Sequence, residues 1–117
     1  MMLIALLPDN LSAETLLNNL SEADFDLKDV SIIMQDRKVQ KALLPDGGPL
    51  KRVRPFGLGK KLIEAGKSDA EVTICVNGIS EGKVLVAMTL LPAYEQAARE
   101  MFLDQKAQLI GGANERA

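Results

Sequence analysis

Two runs in this chain are apolar at nearly every position, and each breaks off at Leu-Leu-Pro. Met2–Leu7, MLIALL, is stopped by Pro8-Asp9-Asn10, and residues 84–91, VLVAMTLL, are stopped by Pro92. Runs this short with turn residues at their ends read as strands buried on both faces, because a strand with one wet side would alternate apolar and polar. A chain with two such strands has to cover both sides of a sheet. No other feature restricts the fold as much.

Each run leads into an amphipathic helix. After the first, Ser12 reads as the N-cap and Glu14 falls in the first turn, where the helix dipole favours an anion. Ala13, Leu16, Leu17 and Leu20 follow at helical spacing as one packing stripe. That helix should end near Ala23, before the polar corner Asp24-Phe25-Asp26. Residues 30–35 read as a strand, with Val30, Ile32 and Met34 on one side and Ser31, Ile33 and Gln35 on the other. Beyond Pro92 a helix is expected to about Gln105, packing through Tyr94, Ala97, Ala98, Met101 and Phe102. A short strand over 107–110 and a frayed tail over 111–117 complete the chain.

Two βαβ halves joined by a long connection make an α+β, ferredoxin-like sandwich: four antiparallel strands with two helices on one face. The length suits a single domain over 1–117, divided into a first half (1–36), a connection (37–66) and a second half (67–117). Leu-Leu-Pro recurs at 43–45, so the tripeptide alone establishes no repeat. In this architecture the first and third strands are central, and their second face would expose more apolar surface than a monomer tolerates. Either a second subunit or the helical parts of 37–82 must cover it. The expectation is a homo-oligomer through the open sheet face.

The connection is distinguished by charge. Residues 37–61 carry eight Lys/Arg against Asp46 alone, whereas 1–36 sum to −6 and 62–117 to −3. Asp46-Gly47-Gly48-Pro49 is turn chemistry, and Arg54-Pro55 biases Arg54 away from helix. Helical turns are plausible at 38–44 and at 58–65, stopped by Gly66, with exposed loop between them. Such a charge block suggests an anionic partner, with Lys51, Arg52, Arg54, Gly57, Gly59, Lys60 and Lys61 as candidate anion- or partner-binding residues. Residues 54–61, RPFGLGKK, resemble a phosphate-cradling loop running into a helix start. They depart from the Walker pattern, since Arg54 stands where a glycine is needed and Lys61 replaces the Mg²⁺-binding hydroxyl. The same cations could neutralise nucleic-acid phosphates, although no stacking aromatics interleave them. The plainer alternative is a solvated loop that pairs with acids such as Asp24, Asp26 and Asp29, or with another subunit.

Residues 68–82, SDAEVTICVNGISEG, support two structures. Their β-branched residues and Asn77-Gly78 would make a hairpin. Against this, Ser68-x-x-Glu71 is a capping box, Val72, Cys75, Val76 and Ile79 have helical spacing, and Gly82 suits a helix C′ position.

Missing residue types limit the chemistry. The chain has no histidine, so imidazole bases and His-containing metal sites are excluded, and its one cysteine cannot build a thiolate cage. Cys75 lies among apolar residues and reads as buried and inert. Asp36, Glu64 and Glu71 are the only acids that suggested a catalytic pair, and nothing in their spacing singles them out. No cofactor is called for. The first apolar run lacks a basic lead and a cleavage site, and no run approaches the ~20 residues of a membrane helix. A cytoplasmic location without membrane association is expected.

The opening LIALLPDNLSAETLLNNLSEADFDLKDVSIIMQD resembles bacterial general stress proteins with the YflT-type (heat-induced stress) domain, through its helix over 12–25 and strand over 29–36. EGKVLVAMTLLPAYEQAAREMFLDQKAQLI is similar to that family's closing strand–helix–strand. In the family a capped helix precedes the Gly-Lys pair, which tips 68–82 towards helix. The resemblance implies this fold and a stress-related setting, and it carries over no catalytic residues. The basic centre departs from the Gly/Ala-rich insert common in the family. Together these readings predict a non-catalytic stress-related or regulatory protein acting through self-association and partner binding. A PII-like sensor of an anionic nucleotide, using Arg54, Gly57, Gly59, Lys60 and Lys61, is the alternative, and a weak nucleic-acid binder the third.

Overall fold

The computed structural model describes residues 2–43 and 67–111. Strands β1 (Met2–Leu7), β2 (Val30–Ile33), β3 (Val84–Thr89) and β4 (Gln108–Leu109) form one antiparallel sheet in the order β2-β3-β1-β4. This is the ferredoxin-like order, with β1 and β3 central. β1 pairs with β3 along its whole length, from Met2↔Thr89 to Leu7↔Val84, and β2 pairs with β3 from Val30↔Met88 to Ile33↔Leu85.

The pleat divides the apolar residues into two cores. Leu3, Ala5, Leu7, Val30, Ile32, Val84, Val86 and Met88 point to one face, and Ile4, Leu6, Ile33, Leu85 and Ala87 to the other. The first face carries α1 (Asn10–Glu22) through Ala13, Leu16, Leu17 and Leu20, the stripe expected from spacing. A helix over Glu95–Asp104 lies on the same face through Ala98 and Phe102. Tyr94 and Ala97 are exposed, contrary to expectation, because the first turn after Leu91 is a separate 3-10 turn, Pro92–Tyr94.

The two helices of the βαβ halves thus share one face as expected, and the second face is covered by the connection. Between β2 and β3 the described residues form α2 (Arg37–Leu43) and α3 (Asp69–Ser80), and Glu95–Asp104 is α4. Cys75 and Ile79 of α3, with Val72 at the margin, pack on Ile4, Leu6, Ile33, Leu85 and Ala87. Of the two covers those apolar strands demanded, the connection's own helix is the one present. The sheet is sandwiched, and the argument for a homo-oligomer through an open face no longer holds.

α3 is helical because its ends are well closed. Ser68 Oγ accepts the Glu71 N–H (3.2 Å), and a Glu71 carboxylate oxygen accepts the Ser68 N–H (2.9 Å). At the other end Gly82 adopts φ +92°; its N–H reaches the Ile79 carbonyl (3.0 Å) and the Lys83 N–H reaches that of Gly78 (2.9 Å). These two bonds form a Schellman closure. Asn77-Gly78 makes no hairpin turn, and Gly78 instead lets the helix approach Leu6. A Cβ there would stand 2.6 Å from Leu6 Cδ1. Val76, one residue past the buried Cys75, is turned away by about 100° and is exposed, unlike the stripe expected for it.

Two boundaries differ from expectation. α1 starts two residues before Ser12, because Asp9 is its cap: its Oδ1 accepts the Ser12 N–H at 2.7 Å. β2 ends at Ile33 because the Met34 N–H turns to the buried side-chain oxygen of Gln40 (3.0 Å). Gln35 then donates to the Ser80 carbonyl (2.8 Å), tying β2 to the end of α3. The helical turn expected at 38–44 is α2. The turn at 58–65 lies outside the described residues.

Candidate functional site

Where β2 begins, β3 ends, so the chain before Val30 meets the chain after Met88. α1 closes there through the same device as α3. Asp24 takes φ +66°, its N–H bonds to Ser21 O (3.1 Å), and the Phe25 N–H bonds to Leu20 O (3.0 Å). Asp26 then caps a 3-10 turn, Leu27–Asp29, by accepting the Lys28 N–H at 2.9 Å. The reversal leaves Phe25 half-buried and Asp24, Asp26 and Asp29 exposed around it.

On the other side Met88 and Leu90 are buried, while Thr89, Leu91 and Tyr94 are exposed, Leu91 at 66% and Tyr94 at 55%. The Phe25 and Tyr94 rings meet edge to face, with centroids 6.2 Å apart and planes at 85°. Between the two sides lies a cavity of about 380 Å³, lined by these residues and Ala23. Its volume falls at the lower end of the range for small-ligand pockets. Three carboxylates stand on its rim, and among the described residues no Lys or Arg belongs to its lining. Such a site favours a cation, held by charge at the rim and by contact with the aromatic and aliphatic floor.

The other groups with chemical potential are used structurally. Cys75 is fully buried, and burial pushes its thiol up to about 11 despite the opposing pull of Lys67. Backbone hydrogen bonds at the two helix starts hold the Asp9 and Glu71 carboxyls below their ordinary values. The Asp36 carboxylate accepts the N–H groups of Lys38 and Val39 at the start of α2, at 3.0 and 3.2 Å. Glu71 and Asp36 therefore do not form the acid pair considered from sequence, and Glu64 lies outside the described residues. Lys67 donates to the Ile110 carbonyl (3.0 Å), bolting the end of β4 to the start of α3.

The predicted binding residues Lys51, Arg52, Arg54, Gly57, Gly59, Lys60 and Lys61 lie outside the described residues. Sequence reasoning missed the cavity. Asp24 and Asp26 figured as a polar corner, all three aspartates as counter-charges for the basic stretch, and Tyr94 as a packing residue. Among the described residues no group of three or more acidic or thiol side chains is placed to hold a metal ion, and no helix is long and apolar enough to cross a membrane. No protein-family model, curated protein or solved structure gives a significant match to the chain.

Proposed function

We propose that the chain is a non-catalytic regulatory module, in the stress-related setting its sequence resemblance implies, that works by self-association and partner binding. One observation supports this reading above the others. The cavity between the α1–β2 corner and the end of β3 combines three exposed carboxylates with exposed Leu91 and Tyr94. That combination suits holding another molecule. The basic stretch is the second contact element, with the opposite sign. Neutralising Lys51, Arg52 and Arg54 should reduce the proteins co-purified from lysate at low salt while leaving thermal stability unchanged. Undiminished capture would overturn the reading.

The PII-like alternative draws on the sheet order and on the long link between α2 and α3. A thermal-shift screen with ATP, ADP and cyclic dinucleotides separates the two, since a ligand at 100 times its Kd adds about 2.7 kcal/mol of stability. A shift with any of them favours the sensor. Salt-sensitive retention on DNA would favour the nucleic-acid reading instead.

A further inference from the structure

We infer that the cavity is the receptor of a head-to-tail contact between copies of this chain, and that residues 50–61 of a second copy, the part of the basic stretch well beyond α2, enter it. The inference rests on the binding role proposed above and names its surface and occupant.

Charge complementarity comes first. Among the described residues the cavity's lining holds three aspartates and no base. In the same chain residues 50–61 carry five Lys/Arg and no acid. The match extends to the apolar component. Val53 lies between Arg52 and Arg54, with Leu50 and Phe56 on either side of the cluster, and the cavity sets an apolar floor inside its acidic rim. Long cationic side chains bury their stems on apolar surface and keep their charged ends at carboxylates, and an exposed tyrosine ring such as Tyr94 attracts guanidinium. Among the described residues both faces of the sheet already carry helices.

Because donor and acceptor surfaces differ, the contact is heterologous. Each copy that docks presents a fresh cavity and a fresh basic stretch, so size grows with concentration unless a ring closes. Rim charges are exposed and therefore screened: the Debye length falls from about 30 Å at 0.01 M salt to about 3 Å at 1 M.

Sedimentation equilibrium of the full chain at these two salt levels tests the inference. At low salt the weight-average mass should rise above 12.7 kDa with concentration, and at high salt it should return to that value. Asp24→Asn/Asp26→Asn/Asp29→Asn, which keeps the acceptor with which Asp26 caps its 3-10 turn, should stay at single-chain mass with an unchanged melting temperature. Tyr94→Ala should weaken association in the same direction. The signature of a head-to-tail contact is complementation. The aspartate variant mixed with Lys51→Ser/Arg52→Ser/Arg54→Ser, each carrying one intact surface, should form a pair of twice the single-chain mass and stop there.

A wild-type chain that stays monomeric at low salt overturns the inference, as does unaltered association of the aspartate variant. A synthetic peptide of residues 50–61 separates this failure from that of the broader reading. If it binds a monomeric wild-type chain, only the second-copy occupant is wrong. If it does not bind, the cavity's binding role falls too.

Discussion

Gly78 is where α3 comes closest to the sheet, and replacing it tests whether that helix sits where the second core requires it. The Cβ of Gly78→Ala would stand 2.6, 3.0 and 3.3 Å from Leu6 Cδ1, Cδ2 and Cγ. Leu6 is 2% exposed on a central strand opposite Leu85, so its side chain has little room to swing away. Overpacking a core in this way costs about 1–3 kcal/mol. Against that, alanine gains about 1 kcal/mol over glycine in a helix interior. The net expectation is a loss of about 1 kcal/mol. Leu6→Ala removes the clashing methyl groups and by itself costs about 2–5 kcal/mol. In that background Gly78→Ala keeps its helix gain and should stabilise by about 1 kcal/mol, a reversal of sign. The coupling of about 2 kcal/mol lies within the range for contacting residues. Urea unfolding of the four proteins, read as midpoint shifts at constant slope, measures it. If Gly78→Ala stabilises the wild type by about 1 kcal/mol, or if the coupling is below about 0.5 kcal/mol, α3 does not lie on Leu6 and the second core is misassigned.

The left-handed C′ residues Asp24 (φ +66°) and Lys106 (φ +62°) occupy positions where glycine is better suited. Relief of about 1–2 kcal/mol of strain, less glycine's entropy cost of about 0.5–1, predicts that Lys106→Gly and Asp24→Gly each stabilise by roughly 0.5–1 kcal/mol in urea titrations. Only Asp24→Gly should also weaken low-salt self-association. Cys75, with its thiol pushed up to about 11 from 9.0, should resist alkylation in the native chain at pH 8 and react once urea unfolds it. Because its folded pKa is raised, its contribution to stability is complete below pH 9 and is lost as pH rises towards 11, which melting temperatures over that range will show. Asp9 and Glu71 have the opposite sign. Their folded pKa values lie below 3.8 and 4.5, so their stabilisation is complete above those values and is lost as pH falls through the lowered ones. Asp9→Asn should flatten the acid limb of a melting curve, and an unchanged limb would remove the assigned role.

What was legible in the sequence was whatever short-range pattern determines. The stripe Ala13, Leu16, Leu17, Leu20 and the doubly buried runs of β1 and β3 could be read directly, because burial follows from their spacing. The box Ser68–Glu71 and Gly82 were equally local, and they outweighed the β-branched composition between them because both helix ends are satisfied. Errors came where two local signals compete or where tertiary contacts intervene. Asp9 took the cap that Ser12 seemed to offer, since a carboxylate one turn earlier reaches the Ser12 N–H itself. The second face looked open because α3's inner stripe, Cys75, Gly78 and Ile79, contains a glycine that pattern reading scores as a turn.

The cavity was hidden for a different reason, since Asp24, Asp26 and Asp29 lie about sixty residues from Thr89, Leu91 and Tyr94. Yet the fold class and one register suffice to bring them together. If β2 runs antiparallel to β3, the start of one lies beside the end of the other, and Val30↔Met88 sets the match. The acidic corner that precedes Val30 must then face the turn that follows Met88, whatever the connection between them does. Tyr94 is exposed for the same reason: Pro92 opens a tight turn at the strand's end, and the ring is presented beside Phe25 before α4 begins its descent onto the sheet. The charge asymmetry of the chain thus acquires a location. Three of its acids line a shaped, partly apolar recess at this end of the sheet, and it is that recess, more than their charge, that the proposed contact relies on.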